Sequence, residues 1–323
     1  MKTKDVTDAS AAKNAAKQVS RRALEEMNLL DDFLFVSMVG YPGLGERFVG
    51  SLLKTIFGRE FRHLTVTAQK VFYGADTGLH GARLDVYIEP EGEEPEGKAA
   101  VYDIEPDRQE DSAGLRSLPR RVRFYHGKMA ARSLSSGADY DTLKDVVIIM
   151  IMPYDPFGLN RMVYTVKNRC VEEPGMEYED GASTLFLYTK GKAGEPSKEL
   201  RQMLHYMEET TYENAVNREL QEIHRMVETV KKDPGVVGMH IKMADEIMRM
   251  SQKITRQEEE ITRQAEENAR QAEENARQAE ENAKQAEENA KQAEEITRQE
   301  EEITRLREEL ALLRGMEKPE EHI

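Results

Sequence analysis

Apolar and polar positions alternate with period two in two runs near the middle of the chain, and the pattern predicts paired β-strands. In Arg83-Leu84-Asp85-Val86-Tyr87-Ile88, the apolar Leu84, Val86 and Ile88 share one face and Asp85 points to the other. In Val101-Tyr102-Asp103-Ile104-Glu105-Pro106-Asp107, the acids Asp103, Glu105 and Asp107 share a face, with Tyr102 and Ile104 opposite. Joined as a hairpin through the acidic loop 90–98, the two runs set Asp85 beside Glu105. Upstream, residues 24–38 read as a helix, with Leu30, Leu34 and Met38 four apart, broken by Tyr41-Pro42-Gly43. Residues 44–57 form an amphipathic helix with Leu44, Phe48, Leu52 and Ile56 on one face and Gly58 as its stop. Residues 63–73 alternate like a strand. Downstream, residues 118–134 read as a helix opened by Pro119. Residues 145–152 are continuously apolar, as in a central strand covered on both faces. Further strands fall at 162–170 and 184–189, and helices at 197–206 and 212–231, closed by Asp233-Pro234-Gly235.

The pattern changes after residue 252. From 257 to 305 a seven-residue unit recurs about seven times, centred on Gln-Ala-Glu-Glu-Asn-Ala-Arg/Lys. Units this alike indicate an expanded tandem repeat in the coding DNA. Ala and Glu favour helix, and Glu266→Arg270, Glu273→Arg277 and Glu280→Lys284 are favourable pairs four apart. Ile254, Ile261, Ile296, Ile303 and Leu310 fall in one heptad register. The middle units put Asn268, Asn275, Asn282 and Asn289 at that seam position, and Gln264, Gln271, Gln278 and Gln285 at the other. One buried Asn sets register at a cost in stability; four in succession make a wet seam. Within 257–314, three-four apolar spacing is confined to Ile303, Leu306, Leu310 and Leu313. Two readings follow: a helix whose last turns join copies of the chain into a homo-oligomer, or a solitary charged spacer. The expected division is a disordered or loosely helical segment 1–22, an α/β domain 23–212, a helical extension 213–252, the heptad helix 253–314 and a disordered tail 315–323.

Composition narrows the class. The 323 residues carry a net charge of −15, of which the segment 253–323 holds −9 (12 basic against 21 acidic residues). The single Cys170 excludes a disulfide framework and a cysteine-rich zinc site, and fits a reducing, cytoplasmic setting. No apolar run approaches the length that spans a membrane, and the start of the chain lacks the apolar core of a signal peptide. Against the acidic average, the stretch 108–132 holds Arg108, Arg116, Arg120, Arg121, Arg123, Lys128 and Arg132 with only Glu110 and Asp111. Such a run either tracks a phosphate backbone or is a solvated helix face. Tyr125 beside it assists a phosphate contact or packs, and His126 is a general base only if the fold brings it to the acids.

Carboxylates delivered to one edge by neighbouring strands make an oxygen-rich site suited to Mg²⁺ or Mn²⁺. Such an ion lowers the pKa of bound water and stabilises charge on a phosphate, the needs of phosphodiester hydrolysis. The plainer alternative is a hairpin edge of solvated acids.

Residues 27–208 resemble the PD-(D/E)xK nuclease superfamily, and most closely its Rpn-type "recombination-promoting nuclease/putative transposase" branch. The resemblance rests on Asp32-Phe33-Leu34-Phe35, Gly81-Ala82-Arg83-Leu84-Asp85 and Tyr102-Asp103-Ile104-Glu105. It continues through Leu118-Pro119-Arg120-Arg121-Val122-Arg123-Phe124-Tyr125, then Gly137-Ala138-Asp139-Tyr140-Asp141-Thr142-Leu143-Lys144 and Tyr154-Asp155-Pro156-Phe157-Gly158. It implies a mixed sheet flanked by helices and metal-dependent cleavage of DNA, tied to recombination or transposition. Asp85 matches the motif's first aspartate and Glu105 its second acid, as ligands of Mg²⁺ or Mn²⁺. Glu46 is the candidate for the superfamily's extra helix-borne acid. Arg120, Arg121, Arg123, Tyr125 and Lys128 are the candidate DNA contacts. The motif's final position, Lys or Gln in relatives, is here Asp107. Asp107 then serves as a third ligand with Arg108 supplying the positive charge, or the site is weakened and the chain is a non-catalytic descendant that binds DNA or protein and self-associates through its tail.

Overall fold

The structure, a computed structural model, describes residues 23–61, 63–72, 82–90, 99–108 and 112–316. The loop expected at 90–98 lies almost wholly outside the described residues, as do segment 1–22 and residues 317–323 of the tail. The chain divides into two units between Asp245 and Glu246.

The first unit is built on a six-stranded mixed sheet. Its strands are β1 (Leu64–Phe72), β2 (Ala82–Pro90), β3 (Ala100–Pro106), β4 (Asp145–Met152), β5 (Val163–Lys167) and β6 (Ala182–Tyr188), in the order β1-β2-β3-β4-β6-β5. β1, β2 and β3 pair antiparallel, β3–β4 and β4–β6 parallel, and β5–β6 antiparallel. The apolar run of β4 sits between two parallel neighbours and is covered on both faces, as its sequence predicts.

On one face pack α1 (Asp32–Val39), α2 (Gly45–Phe57), α4 (Lys198–Glu208) and α5 (Arg218–Lys232). They set Phe35, Phe48, Met203 and Ile223 against Val86, Ile88, Ile104 and Ile149. On the other face α3 (Ser112–Ser133) sets Leu118, Val122 and Met129 against Leu84, Tyr87, Val101 and Ile148. Burying each such side chain contributes roughly 1.5–3 kcal/mol, which holds both layers to the sheet. Ser197 and Asn217 accept N–H bonds as caps of α4 and α5, and Gly58 (φ +70°) ends α2 in a conformation only glycine adopts cheaply.

Besides the helix expected at 212–231, which begins only at Arg218, three sequence expectations need correction. The segment 24–38 is not one helix: residues 23–26 are helical, then the chain turns before α1. There Asp31 accepts from the Asn28 N–H (2.6 Å), and Leu29 N–H donates to Thr210 Oγ1 (2.9 Å) beyond α4. Asn and Asp offer the backbone local partners that compete with the helix. Pro119 lies inside α3 rather than at its start. The third concerns β2. Leu84 packs with Tyr87 on the α3 face, while Val86 and Ile88 face α1, so the pleat switches sides at Asp85. β1 switches opposite it: Ala68 pairs with Val86 and Lys70 with Leu84, but Gln69 (φ +51°), which stands across from Asp85, is unpaired.

The second unit is helical. α6 (Pro234–Met316) starts where the sequence break predicts, with Asp233 Oδ1 accepting from the N–H groups of Gly235 and Val236 (2.8 and 3.0 Å). Its first turns belong to the first unit, where Val236 and His240 are buried. From Glu246 to Leu312 every residue is exposed. The expected boundary at 252/253 therefore moves to 245/246, since helix continues across it and only burial changes. Among the described residues no helix is long and apolar enough to cross a membrane.

Candidate active site

β2 and β3 part company at one end. Their ladder holds Tyr87 to Asp103 and Ile88 to Tyr102 and goes no further. Continued in that register, Asp85 stands opposite Glu105. β3 meanwhile stays with β4, pairing Glu105 with Met150 and Pro106 with Ile151, and the Asp107 N–H donates to Ile151 O (2.8 Å). The parting leaves the Asp85 N–H without a strand partner, and the Glu105 carboxylate fills the gap, accepting it at 2.8 Å. Pro106, which has no N–H, sits where β2 has left and costs the sheet no bond. Alternation and parting together thus bring Asp85 and Glu105 to one spot.

The spot is buried. Asp103, Glu105 and Asp107 are 0, 7 and 6 % exposed. Burial pushes the Glu105 carboxyl up to about 8, with the Asp85 charge adding to it and the Asp85 N–H and Arg121 opposing. Burial pushes Asp85 up to about 6, with Asp32 adding and Arg83 and Arg121 opposing. Asp103 is raised well above the carboxylate range, first by burial and then by Glu105 and Asp85. Neither of its oxygens makes a well-formed hydrogen bond; Glu105 and the Val86 N–H are polar groups acting on it. An ionised carboxylate so placed is costly, so the cluster either holds protons or meets a cation.

A further acid is Asp32, at the head of the Asp32-Phe33-Leu34-Phe35 motif. α1 packs over β1 and β2 and lines with Asp32, Phe33, Val36 and Ser37 a cavity of about 1260 Å³ that Asp85 and Arg83 also line. Asp32 too is raised, by burial first and then by Asp107 and Asp31. Glu46 does not reach this cavity. It lines another, of about 540 Å³, with Arg47, Lys54, Arg218 and Glu219, because the polar stripe of α2 faces α5 and the start of β1. The helix-borne acid beside Asp85 is Asp32, one helix earlier.

The basic residues sort into two groups. Arg121 comes inward from α3 and ion-pairs with Asp107, and its Nε is buried without a partner. Tyr125, one turn later, is half-buried, its phenol pushed up to about 12 by burial and then by Glu105. Arg120 and Arg123 are exposed, and Lys128 lies over the Phe124 ring (5.3 Å). Arg108 is not the cation of Asp107: it pairs with Asp31 (2.5 Å) ahead of α1. The charge beside Asp107 is Arg121, fourteen positions further along the chain and so concealed in the sequence. His126 is tied to Thr184 Oγ1 on β6 (2.9 Å), not to the acids, and burial lowers its pKa.

Among the described residues no three His, Cys, Asp or Glu side chains are arranged to hold a metal ion. The donor set is a carboxylate pair, Asp85 and Glu105, with Asp103 and Asp32 bearing on Asp85 or Glu105 electrostatically. The unpartnered oxygens of Asp103 and the raised carboxyls fit a site short of positive charge. No family model matches the chain, and neither the curated proteins nor the solved structures contain a match to it.

Proposed function

We propose that the protein is a metal-dependent DNA endonuclease of the PD-(D/E)xK kind, hydrolysing phosphodiester bonds in the service of recombination or transposition. The observation that carries this reading is the Glu105 carboxylate seated on Asp85 where β2 and β3 part, among buried acids with raised pKa values. Asp85 and Glu105 would hold Mg²⁺ or Mn²⁺. When bound, the ion supplies an activated water and charge for the phosphate. Arg121, paired with Asp107 and partly exposed, would supply positive charge beside the carboxylates, in the role the motif's lysine would fill. Tyr125 keeps its proton at neutral pH and can donate beside it. Arg120 and Arg123, exposed on α3, supply sequence-independent contacts to the DNA backbone.

A second reading has its own observation. Asp107 stands at the motif's lysine position, and no three-ligand arrangement is present among the described residues. On that reading the chain binds DNA or protein without cutting. Incubating the full chain with plasmid and with single-stranded DNA in Mg²⁺ or Mn²⁺ separates the two. Cleavage that is lost in Asp85→Asn and in Glu105→Gln supports the nuclease. Retained DNA binding with no cleavage in either metal supports the binding module.

A further inference from the structure

We propose that α6 pairs with the same helix of a second copy of this chain, as a parallel, in-register, two-stranded coiled coil running from Ile247 to Leu310. The starting observation is a bare apolar seam. Ile247, Met250 and Ile254 stand at three-four spacing and are exposed, as are Ile261, Ile296, Ile303, Leu306 and Leu310 further along. All fall in one heptad register, in which Ile247, Ile254, Ile261, Ile296, Ile303 and Leu310 take the first seam position. The sequence pattern alone points to the far end of this seam; the exposure of Ile247 and Met250 adds a second apolar clamp at the near end. Between the clamps lies the Asn and Gln stretch. A helix with apolar ends on one stripe and a polar middle on the same stripe is unsatisfied alone, and β-branched residues at the first seam position favour two strands.

Charge identifies the occupant. The residue just before each first seam position flanks the seam, and from Glu260 to Glu309 that residue is glutamate in every heptad. In an antiparallel pair these flanks face each other, so glutamate meets glutamate along the whole repeat. In a parallel pair each flank meets the opposite flank five residues further along the other helix. Lys253 then meets Glu258 of the second copy, and Glu302 meets Arg307. Through the middle, Glu267 and its successors meet only alanines, starting with Ala272. One contact, Glu295 with Glu300, is repulsive. The parallel arrangement therefore removes nearly all the like-charge contacts that the antiparallel one creates.

Register follows from the ends. In register, Asn268, Asn275, Asn282 and Asn289 each meet their own counterparts and pair amide to amide. A slip of one heptad keeps three of these pairs but sets Ile261 against Asn268 and Asn289 against Ile296, leaving amides unpaired at both clamps. The polar middle weakens the coil and selects its alignment; the clamps hold it together.

Two measurements on the full chain test this, independently of any catalytic activity. Sedimentation equilibrium at up to about 100 µM should give twice the 36.9 kDa of one chain. Ile254→Asp with Ile261→Asp should raise the dissociation constant at least about tenfold. Both positions are exposed on α6, so the circular dichroism of the first unit's melt should not move. For direction and register, Cys170→Ser provides a cysteine-free background. In it, Ile261→Cys should oxidise to a covalent dimer, and the outward Arg263→Cys should not. A monomeric or trimeric mass overturns the proposal. So does a dimer in which Ile261→Cys fails to cross-link, since the antiparallel pairing would then be the one present.

Discussion

At the end of β3, beside Asp85 of β2, carboxylates recur every second residue; along α6, glutamates recur in pairs every seventh. The second set is larger, yet every one of its described members stands in water. A few find a lysine or arginine about one turn on, as Glu280 finds Lys284 (2.9 Å) and Glu287 finds Lys291 (2.9 Å). Such pairs are screened and worth a few tenths of a kcal/mol. The first set is pressed between α1 and α3 with Arg121 and Arg83 as opposing cations, and there burial governs the chemistry. Repetition of acids does not make a site. Removing water from around a few of them does.

The largest effect should come from the buried set. Asp85→Asn should lower Mg²⁺-dependent cleavage by about 10³-fold or more, since an ion's contribution to the transition state is several kcal/mol. Removing 257–323 should leave cleavage by each remaining core within about twofold. Plasmid nicking at matched protein concentration measures both. If the deletion costs as much as the point change, the contrast between the regions fails.

Next comes pH. Glu105 is raised to about 8 and Asp85 to about 6, so the folded chain holds their protons more tightly than the unfolded chain does. Stability contributed by holding these protons is full below their ordinary pKa values, near 4. It is lost as pH rises through about 6 and about 8. Without divalent ions, the urea midpoint of the wild type should therefore fall relative to Glu105→Gln between about pH 5 and about pH 8, by a few kcal/mol in free energy. Mg²⁺ should restore it, and more so at the higher pH. Parallel pH curves for the two proteins would show that the site is not desolvated.

Arg121 and Arg123 divide the basic run. Arg121→Ala removes the ion pair with the buried Asp107 and should cost about 1–3 kcal/mol in a thermal melt, together with cleavage. Arg123→Ala should leave the melt and the cleavage chemistry alone and reduce the salt slope of DNA binding by about one. Swapped outcomes would mean that the inward and outward faces of α3 have been exchanged.

The smallest effect belongs to the exposed set. Glu280→Gln removes the pair with Lys284 and should cost the helix about 0.2–0.5 kcal/mol, visible only as a slight loss of ellipticity.

What the sequence reveals of the site follows from distance along the chain. Asp85 and Glu105 are twenty residues apart on strands that pair as neighbours, so the hairpin register sets them opposite one another. Asp32 comes from α1, and nothing in its local pattern says that α1 rather than α2 covers β2, so the sequence points to Glu46, which lines a different cavity. Arg121 reaches Asp107 across the start of α3, while Arg108, the near neighbour, is drawn off to Asp31. The switch of faces at Asp85 was hidden because a one-face reading of Leu84, Val86 and Ile88 assumes an unbroken pleat, and the unpaired Gln69 breaks it from the adjacent strand. The strands and the central position of β4 were legible, because their alternation or apolar run is local.

The uninterrupted course of α6 gives the gene room to change. A repeat unit of seven residues is one whole heptad, so gaining or losing a copy by slippage during replication neither shifts the reading frame nor moves any later residue off its stripe. Each unit alters the reach of the helix by about 10 Å. It turns the stripe by about 20°, an offset that the supercoil of a paired helix absorbs. No residue from Glu246 to Leu312 is buried, so the hydrophobic core gains or loses nothing with it. Length can change here by mutation without touching the core, as on a measuring rod whose graduations are all alike.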